Sequence, residues 1–155
     1  GANHEMDWRA GTENVAQIVA LGEAFELIDR NLSKYRDHMQ EMRDRLEGGL
    51  LDRFPNARVN GHIEKRLPNT ASVSFKGLEA NTILSELRDV AASAGSACHS
   101  DRVEVSGVLE AMRVPPEYAL GTIRFSVGRF TTAGEIDRAV DEVARVAGGH
   151  PAFSS

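Results

Sequence analysis

Apolar and aromatic side chains recur at Ile18, Leu21, Phe25, Ile28, Leu32, Tyr35, Met39, Met42 and Leu46, in alternating steps of three and four. That spacing keeps them on one stripe of an α-helix. It predicts a long amphipathic helix from residue 13 to about residue 48, with Thr12 and Asn14 as capping residues. Gly48 and Gly49 are the expected stop, and Pro55 closes the segment. At ~1.5 Å per residue the helix would be on the order of 50 Å long, so part of it is expected to bridge to something else. A bend is expected near residues 31–33. Residues 1–12 mix Gly, Asn, His and Trp without a period and read as loop.

Downstream of Pro55 the pattern shortens. Residues 70–75 alternate apolar and hydroxyl side chains, which puts Ala71, Val73 and Phe75 on one face of a half-buried strand. Shorter strands are expected at 58–60 and 123–127, and helices at 80–87 and 106–112. Pro115-Pro116 marks a turn or helix start. A terminal amphipathic helix over 132–146 opens with Thr132 and Glu135 in capping-box spacing, and residues 148–155 read as a frayed tail. The order of elements predicts an α+β fold: a small, mostly antiparallel sheet with helices on one face, preceded by a long connecting helix. The expected divisions are 1–12, the helix at 13–54, the small α+β domain at 55–147 and the tail.

The chain has 155 residues, enough for one hydrophobic core that buries roughly 68–70% of the unfolded surface. Lysine and arginine number 18 against 23 aspartates and glutamates, a net charge of 18 − 23 = −5. That balance argues against a dedicated nucleic-acid binder, which carries a basic face. No apolar run approaches the roughly 20 residues that span a bilayer, so no membrane partner is expected. Cys98 is the single cysteine, which excludes an internal disulfide and favours a reducing, cytoplasmic setting. The chain starts at Gly1 with no signal-peptide pattern behind it, as a processed product, a piece with a tag remnant or a fragment would.

Three segments offer chemistry. Cys98 lies in Ala94-Gly95-Ser96-Ala97-Cys98-His99-Ser100-Asp101, among small residues and beside a histidine. It is either a small buried residue or a nucleophile, and His99 is a candidate helper because a free thiol is only a few per cent thiolate near neutrality. Arg124, within Ile123-Arg124-Phe125-Ser126-Val127, shares a strand face with Ser126 and opposes Ile123 and Phe125. It is either a surface ion-pair partner or a rigid carboxylate clamp. Arg9-Ala10-Gly11-Thr12-Glu13-Asn14 leads into the long helix, as an ordinary cap or as an anion site. No metal motif, phosphate-binding loop or dinucleotide fingerprint is present, and His4 and His62 lack ligand spacing.

Four segments in this order resemble the cysteine desulfurases: Arg9-Ala10-Gly11-Thr12-Glu13-Asn14-Val15, Leu67-Pro68-Asn69-Thr70, Gly95-Ser96-Ala97-Cys98, and Arg124-Phe125-Ser126-Val127-Gly128-Arg129-Phe130-Thr131-Thr132. That family belongs to the class-V aminotransferase group of fold-type-I pyridoxal-phosphate enzymes, with selenocysteine lyases as close relatives. The resemblance implies that Cys98 is the nucleophile that takes sulfur from L-cysteine as a persulfide, releasing alanine. It also implies that Arg124 grips the substrate carboxylate and that Thr12 reaches across a homodimer to the partner subunit's cofactor phosphate. The small residues before Cys98 then form a loop that swings between the cofactor and a protein sulfur acceptor.

The departures carry equal weight. The family's cofactor lysine follows a histidine and precedes the arginine-glycine-threonine motif. Here the lysines are Lys34, Lys65 and Lys76, all after Thr12 and none preceded by histidine. The resemblance therefore implies the C-terminal small domain with its connecting helix, with 1–12 as a remnant of the cofactor-binding region. The chain alone is expected to hold no covalent pyridoxal phosphate and to turn over no cysteine. A non-catalytic or split-gene interaction module, paired through the heptad-like helix, is the alternative. A cysteine hydrolase or peroxidase using Cys98 and His99 is a third reading. Cysteine and selenocysteine are not distinguished, nor are iron–sulfur assembly, tRNA thiolation and cofactor synthesis as destinations of the sulfur.

Overall fold

A computed structural model describes residues 2–99 and 102–149. The chain divides into two compact units, Gly1–Tyr35 and Arg36–Ser155.

The first unit opens with a small hairpin where the sequence predicted loop. Strands β1 (Asn3–His4) and β2 (Arg9–Ala10) pair antiparallel, with Asn3 opposite Ala10. Two-residue strands are too short for a period to show in the sequence. Helix α1 (Val15–Arg53) then begins, capped by Asn14, whose Oδ1 accepts the Gln17 N–H at 3.2 Å. Within this unit its apolar stripe is exposed: Ile18, Leu21, Phe25, Ile28 and Leu32 all face solvent.

In the second unit the same stripe is buried, through Met42, Leu46 and Leu50. Gly48 and Gly49 do not stop the helix, which runs to Arg53, two residues short of Pro55. Gly49 has a packing reason instead. A Cβ there would come within 2.9 Å of Val140 Cγ2, so the glycine lets α5 (Ala133–Gly148) approach closely. Bidentate Arg45–Asp137 bonds at 2.7 and 2.8 Å and an Arg53–Asp141 bond at 2.7 Å tie the two helices together.

The sheet has the order β3 (Ala57–Val59), β4 (Thr70–Phe75), β8 (Thr122–Ser126), β5 (Ser93–Ala94), antiparallel throughout. Alternation sends Ala71, Val73, Phe75, Ile123 and Phe125 to one face, where they pack with α1, α5 and α2 (Ala80–Glu86). Phe54 meets Phe75 edge-on, with ring centroids 5.2 Å apart. A smaller cluster of Leu109, Val114 and Ala119 joins α3 (Gly107–Ala111) and α4 (Pro116–Ala119). The expected cap of the terminal helix is present: the Thr132 side chain accepts from Glu135 N–H, and Glu135 reaches back to Thr132 N–H at 2.7 Å.

The small residues just before Cys98, expected as a loop, lie partly in strands. Ser93 and Ala94 add an edge strand beside β8, and Cys98 lies on β6 (Ser96–His99), paired antiparallel with β7 (Arg102–Val105). Small residues carry little strand propensity of their own. The pairing comes from the partners, which include the β-branched Val103 and Val105. Ser100, Asp101 and the tail from residue 150 lie outside the described residues.

Candidate active site

The polar face of the sheet carries the candidate site. Arg124 stands directly opposite Ser72 on β4 and Ser93 on β5. Its strand neighbours Ile123 and Phe125 point into the core, 0% and 4% exposed, while Arg124 and Ser126 are exposed. The alternation read from the sequence places these side chains correctly. Above this face lies a cavity of about 350 Å³, with Ser72, Thr70 and Arg124 as its floor. Asn60 and Arg66 line it, as do Leu109 of α3 and Met112 just after that helix.

Charge in the cavity is unevenly compensated. Arg66 is neutralised by Glu47 in a short, largely buried contact and lies 4.0 Å from Asp44. Arg43 donates to Asp44 at 2.6 and 2.9 Å and to the Leu67 carbonyl at 3.0 Å. Arg124 has no ion pair or hydrogen bond among the described residues, so it lines the cavity as a free guanidinium. A fixed fork of N–H donors on a strand, uncompensated and beside hydroxyls, is suited to a carboxylate.

Both arms of the Cys98 hairpin spring from this cavity. Gly95, just before β6, and Ser106, just after β7, line it. Gly95 is needed for a close approach, because a Cβ there would lie 2.7 Å from Thr122 Cγ2 and 3.2 Å from Leu109 Cδ1. Ser106 caps α3 by accepting the Val108 N–H at 3.2 Å. The backbone of Cys98 pairs with Val103 and that of His99 with Arg102.

Thr12 belongs to the first unit. It is exposed, and its hydroxyl has no hydrogen-bond partner among the described residues. Its carbonyl and that of Gly11 accept from the Arg9 guanidinium at 3.1 and 2.7 Å. The helix cap is Asn14, not Thr12. Lys34, Lys65 and Lys76 are exposed. Among the described residues no group of three His, Cys, Asp or Glu side chains is arranged to hold a metal, and no helix is long and apolar enough to cross a membrane.

Residues 2–139 match the family model of class-V aminotransferases. The chain belongs to the class-V aminotransferase family. It is 47% identical over 143 residues to a cysteine desulfurase of Gluconacetobacter diazotrophicus, covering 91% of this chain and 36% of that protein. It is 45% identical over 145 residues to the cysteine desulfurase NifS of Azotobacter vinelandii, with 92% and 36% covered. Among solved structures, a NifS-like protein superposes with a TM-score of 0.80 at 30% identity, covering 95% of this chain and 37% of that one. A second, from Rickettsia africae, gives 0.78 at 27% identity, with 95% and 38% covered. The chain thus spans about a third of the length of the curated relatives it matches. The α+β architecture of small antiparallel sheets and helices matches the superposed parts of these neighbours.

Asn60 and Ser72 were not singled out from the sequence. The alternation of 70–75 marks Ser72 as a polar-face residue, but its neighbours there are Asn60, just after β3, and Arg124 on β8, far apart in the chain.

Proposed function

We propose that this chain is the C-terminal small domain of a pyridoxal-phosphate-dependent cysteine desulfurase. In that enzyme Arg124 holds the carboxylate of L-cysteine and Cys98 accepts its sulfur. The observation that carries the reading is the free Arg124 guanidinium on the floor of a cavity from which both arms of the Cys98 hairpin depart. The names of the relatives point to the same chemistry.

In the step proposed, the Cys98 thiolate attacks the sulfur of bound L-cysteine. The new S–S bond forms as the substrate Cβ–S bond breaks. The electron pair of the broken bond passes to the carbon skeleton, which takes up a proton and leaves as alanine. Sulfur is oxidised to the persulfide level and carbon is reduced, so the exchange balances without an outside oxidant. Pyridoxal phosphate, when bound, supplies the acidity at Cα that this cleavage needs. The hairpin carries the persulfide to a protein acceptor, His99 assists thiol deprotonation, and Thr12 serves the cofactor phosphate of a partner subunit in a cytoplasmic homodimer.

The 155-residue chain alone takes up no covalent cofactor and releases no sulfur. A stable near-visible absorption of lysine-bound pyridoxal phosphate on mixing the two would refute that part. In the intact enzyme, Cys98→Ser abolishes sulfur release from L-cysteine. Undiminished release would end the assignment. The exposed apolar stripe from Ile18 to Leu32 supports the second reading, an interaction module paired through α1. A chain whose cysteine and arginine tolerate substitution without loss of assembly would favour it.

A further inference from the structure

Donor bookkeeping beneath the cavity identifies a second group for the anion held by Arg124. Thr122, 1% exposed, donates its hydroxyl hydrogen to the Tyr118 carbonyl at 3.1 Å. Its Oγ1 is also 2.7 Å from Ser74 Oγ. A hydroxyl has one hydrogen, and that of Thr122 is already committed, so Ser74 is the donor in this pair. Ser74 Oγ is left to accept, and it accepts from Asn60 Nδ2 at 2.7 Å. The Asn60 amide thus turns its Nδ2 to Ser74, and its Oδ1 is left buried without a hydrogen-bond partner among the described residues. The second hydrogen of Nδ2 goes to Ser72 Oγ at 3.3 Å.

The donors therefore run outward from the Asn60 amide, on one side to Ser72 and on the other through Ser74 and Thr122 to the Tyr118 carbonyl, which can only accept. Ser72 Oγ receives a hydrogen from Asn60, and its own hydrogen has no acceptor among the described residues. Ser72 is half-buried, lines the same cavity as Arg124, and is its direct cross-strand partner. Opposite residues on adjacent antiparallel strands carry their Cβ atoms about 4.5–5.5 Å apart on one face.

We propose that Ser72 is a binding residue that donates a second hydrogen bond to the carboxylate gripped by Arg124. Asn60 is a positioning residue that keeps the Ser72 hydroxyl in the donating sense. The inference rests on the reading of Arg124 as a carboxylate site. It adds a neutral donor whose direction is set by Tyr118, Thr122 and Ser74, and it makes the site selective for a planar two-oxygen anion.

The test is a titration of the 155-residue chain with acetate, followed by NMR at the Arg124 guanidinium N–H and the backbone amides of residues 72 and 124. Saturable shifts are expected in the wild type. Ser72→Ala weakens the affinity about tenfold, about 1.4 kcal/mol. Ser72→Thr, which keeps the hydroxyl, stays within about twofold of wild type by the same measure. Asn60→Asp turns the donor facing Ser72 into an acceptor, and weakens binding more than Ser72→Ala does. Loss of binding in Arg124→Ala with none in Ser72→Ala overturns the role of Ser72 and leaves the anion site standing. Absence of saturable shifts at Arg124 in the wild type, or their survival in Arg124→Ala at the two amides, overturns the anion site and the role of Ser72 with it.

Discussion

Thr122→Val is the most informative change to the scaffold. Valine keeps the shape of a residue that is 1% exposed and removes only the hydroxyl that bonds Ser74 Oγ at 2.7 Å and the Tyr118 carbonyl at 3.1 Å. The Tyr118 carbonyl keeps the Gly121 N–H at 3.1 Å, so it is not left bare. The Ser74 hydroxyl is, at a site where Ser74 is fully buried. One lost bond costs about 1 kcal/mol, and an orphaned buried donor about 1–3 more. The added methyl returns up to about 0.8 kcal/mol of burial. The net expectation is a loss of about 2 kcal/mol, or a Tm lower by roughly 4–8 °C for a chain of this size. Urea unfolding followed by circular dichroism measures it, with the slope m unchanged. In a Ser74→Ala background the orphan no longer exists, and Thr122→Val costs about 1 kcal/mol less. A loss below about 0.5 kcal/mol in the single variant, or strict additivity in the double, refutes the relay.

Three further expectations follow from packing and charge. Thr132→Ala breaks the capping box of α5 and lowers stability by about 1 kcal/mol, read from the same urea midpoints. Gly121→Ala places a Cβ 2.1 Å from the Phe75 carbonyl oxygen at the start of β8 and costs about 3 kcal/mol or more, so the variant loses its cooperative thermal transition. The Arg145 guanidinium, helped by the Arg88 backbone N–H, draws the Glu142 carboxyl from 4.5 down to about 2. A carboxyl depressed on folding stabilises the native state above its unfolded value, and that contribution fades as pH falls toward the folded one. The Tm difference between wild type and Glu142→Gln is therefore constant above about pH 5 and closes as pH falls through about 2, and a difference that stays constant throughout contradicts the pairing.

The parts of the fold legible in the sequence are those whose signal is local. The three–four spacing of α1, the alternation of Ala71, Val73 and Phe75, and the Thr132–Glu135 box each state their own geometry. Arg124 was placed by the same alternation. What was not legible depends on partners distant in the chain. Gly49 reads as a helix stop until Val140 is set against it. Ala94 and the small residues leading to Cys98 read as a loop until β8 and β7 pair with them. The hydroxyl direction of Ser72 depends on Tyr118, some way along the chain and reached through three side chains. The stripe of α1 is uniform in sequence, yet it is buried at Met42, Leu46 and Leu50 and exposed from Ile18 to Leu32. Periodicity reports a face, and only the fold reports what covers it.

The central claim is that Cys98 receives sulfur from a substrate whose carboxylate Arg124 holds. Intact-mass and peptide-mass measurement of the intact enzyme after a brief exposure to L-cysteine, with free thiols trapped by alkylation, tests it most directly. One additional sulfur atom on the Cys98 peptide, absent without L-cysteine and strongly reduced in Arg124→Ala, is the result expected. A Cys98 peptide that carries no added sulfur while alanine accumulates would contradict it.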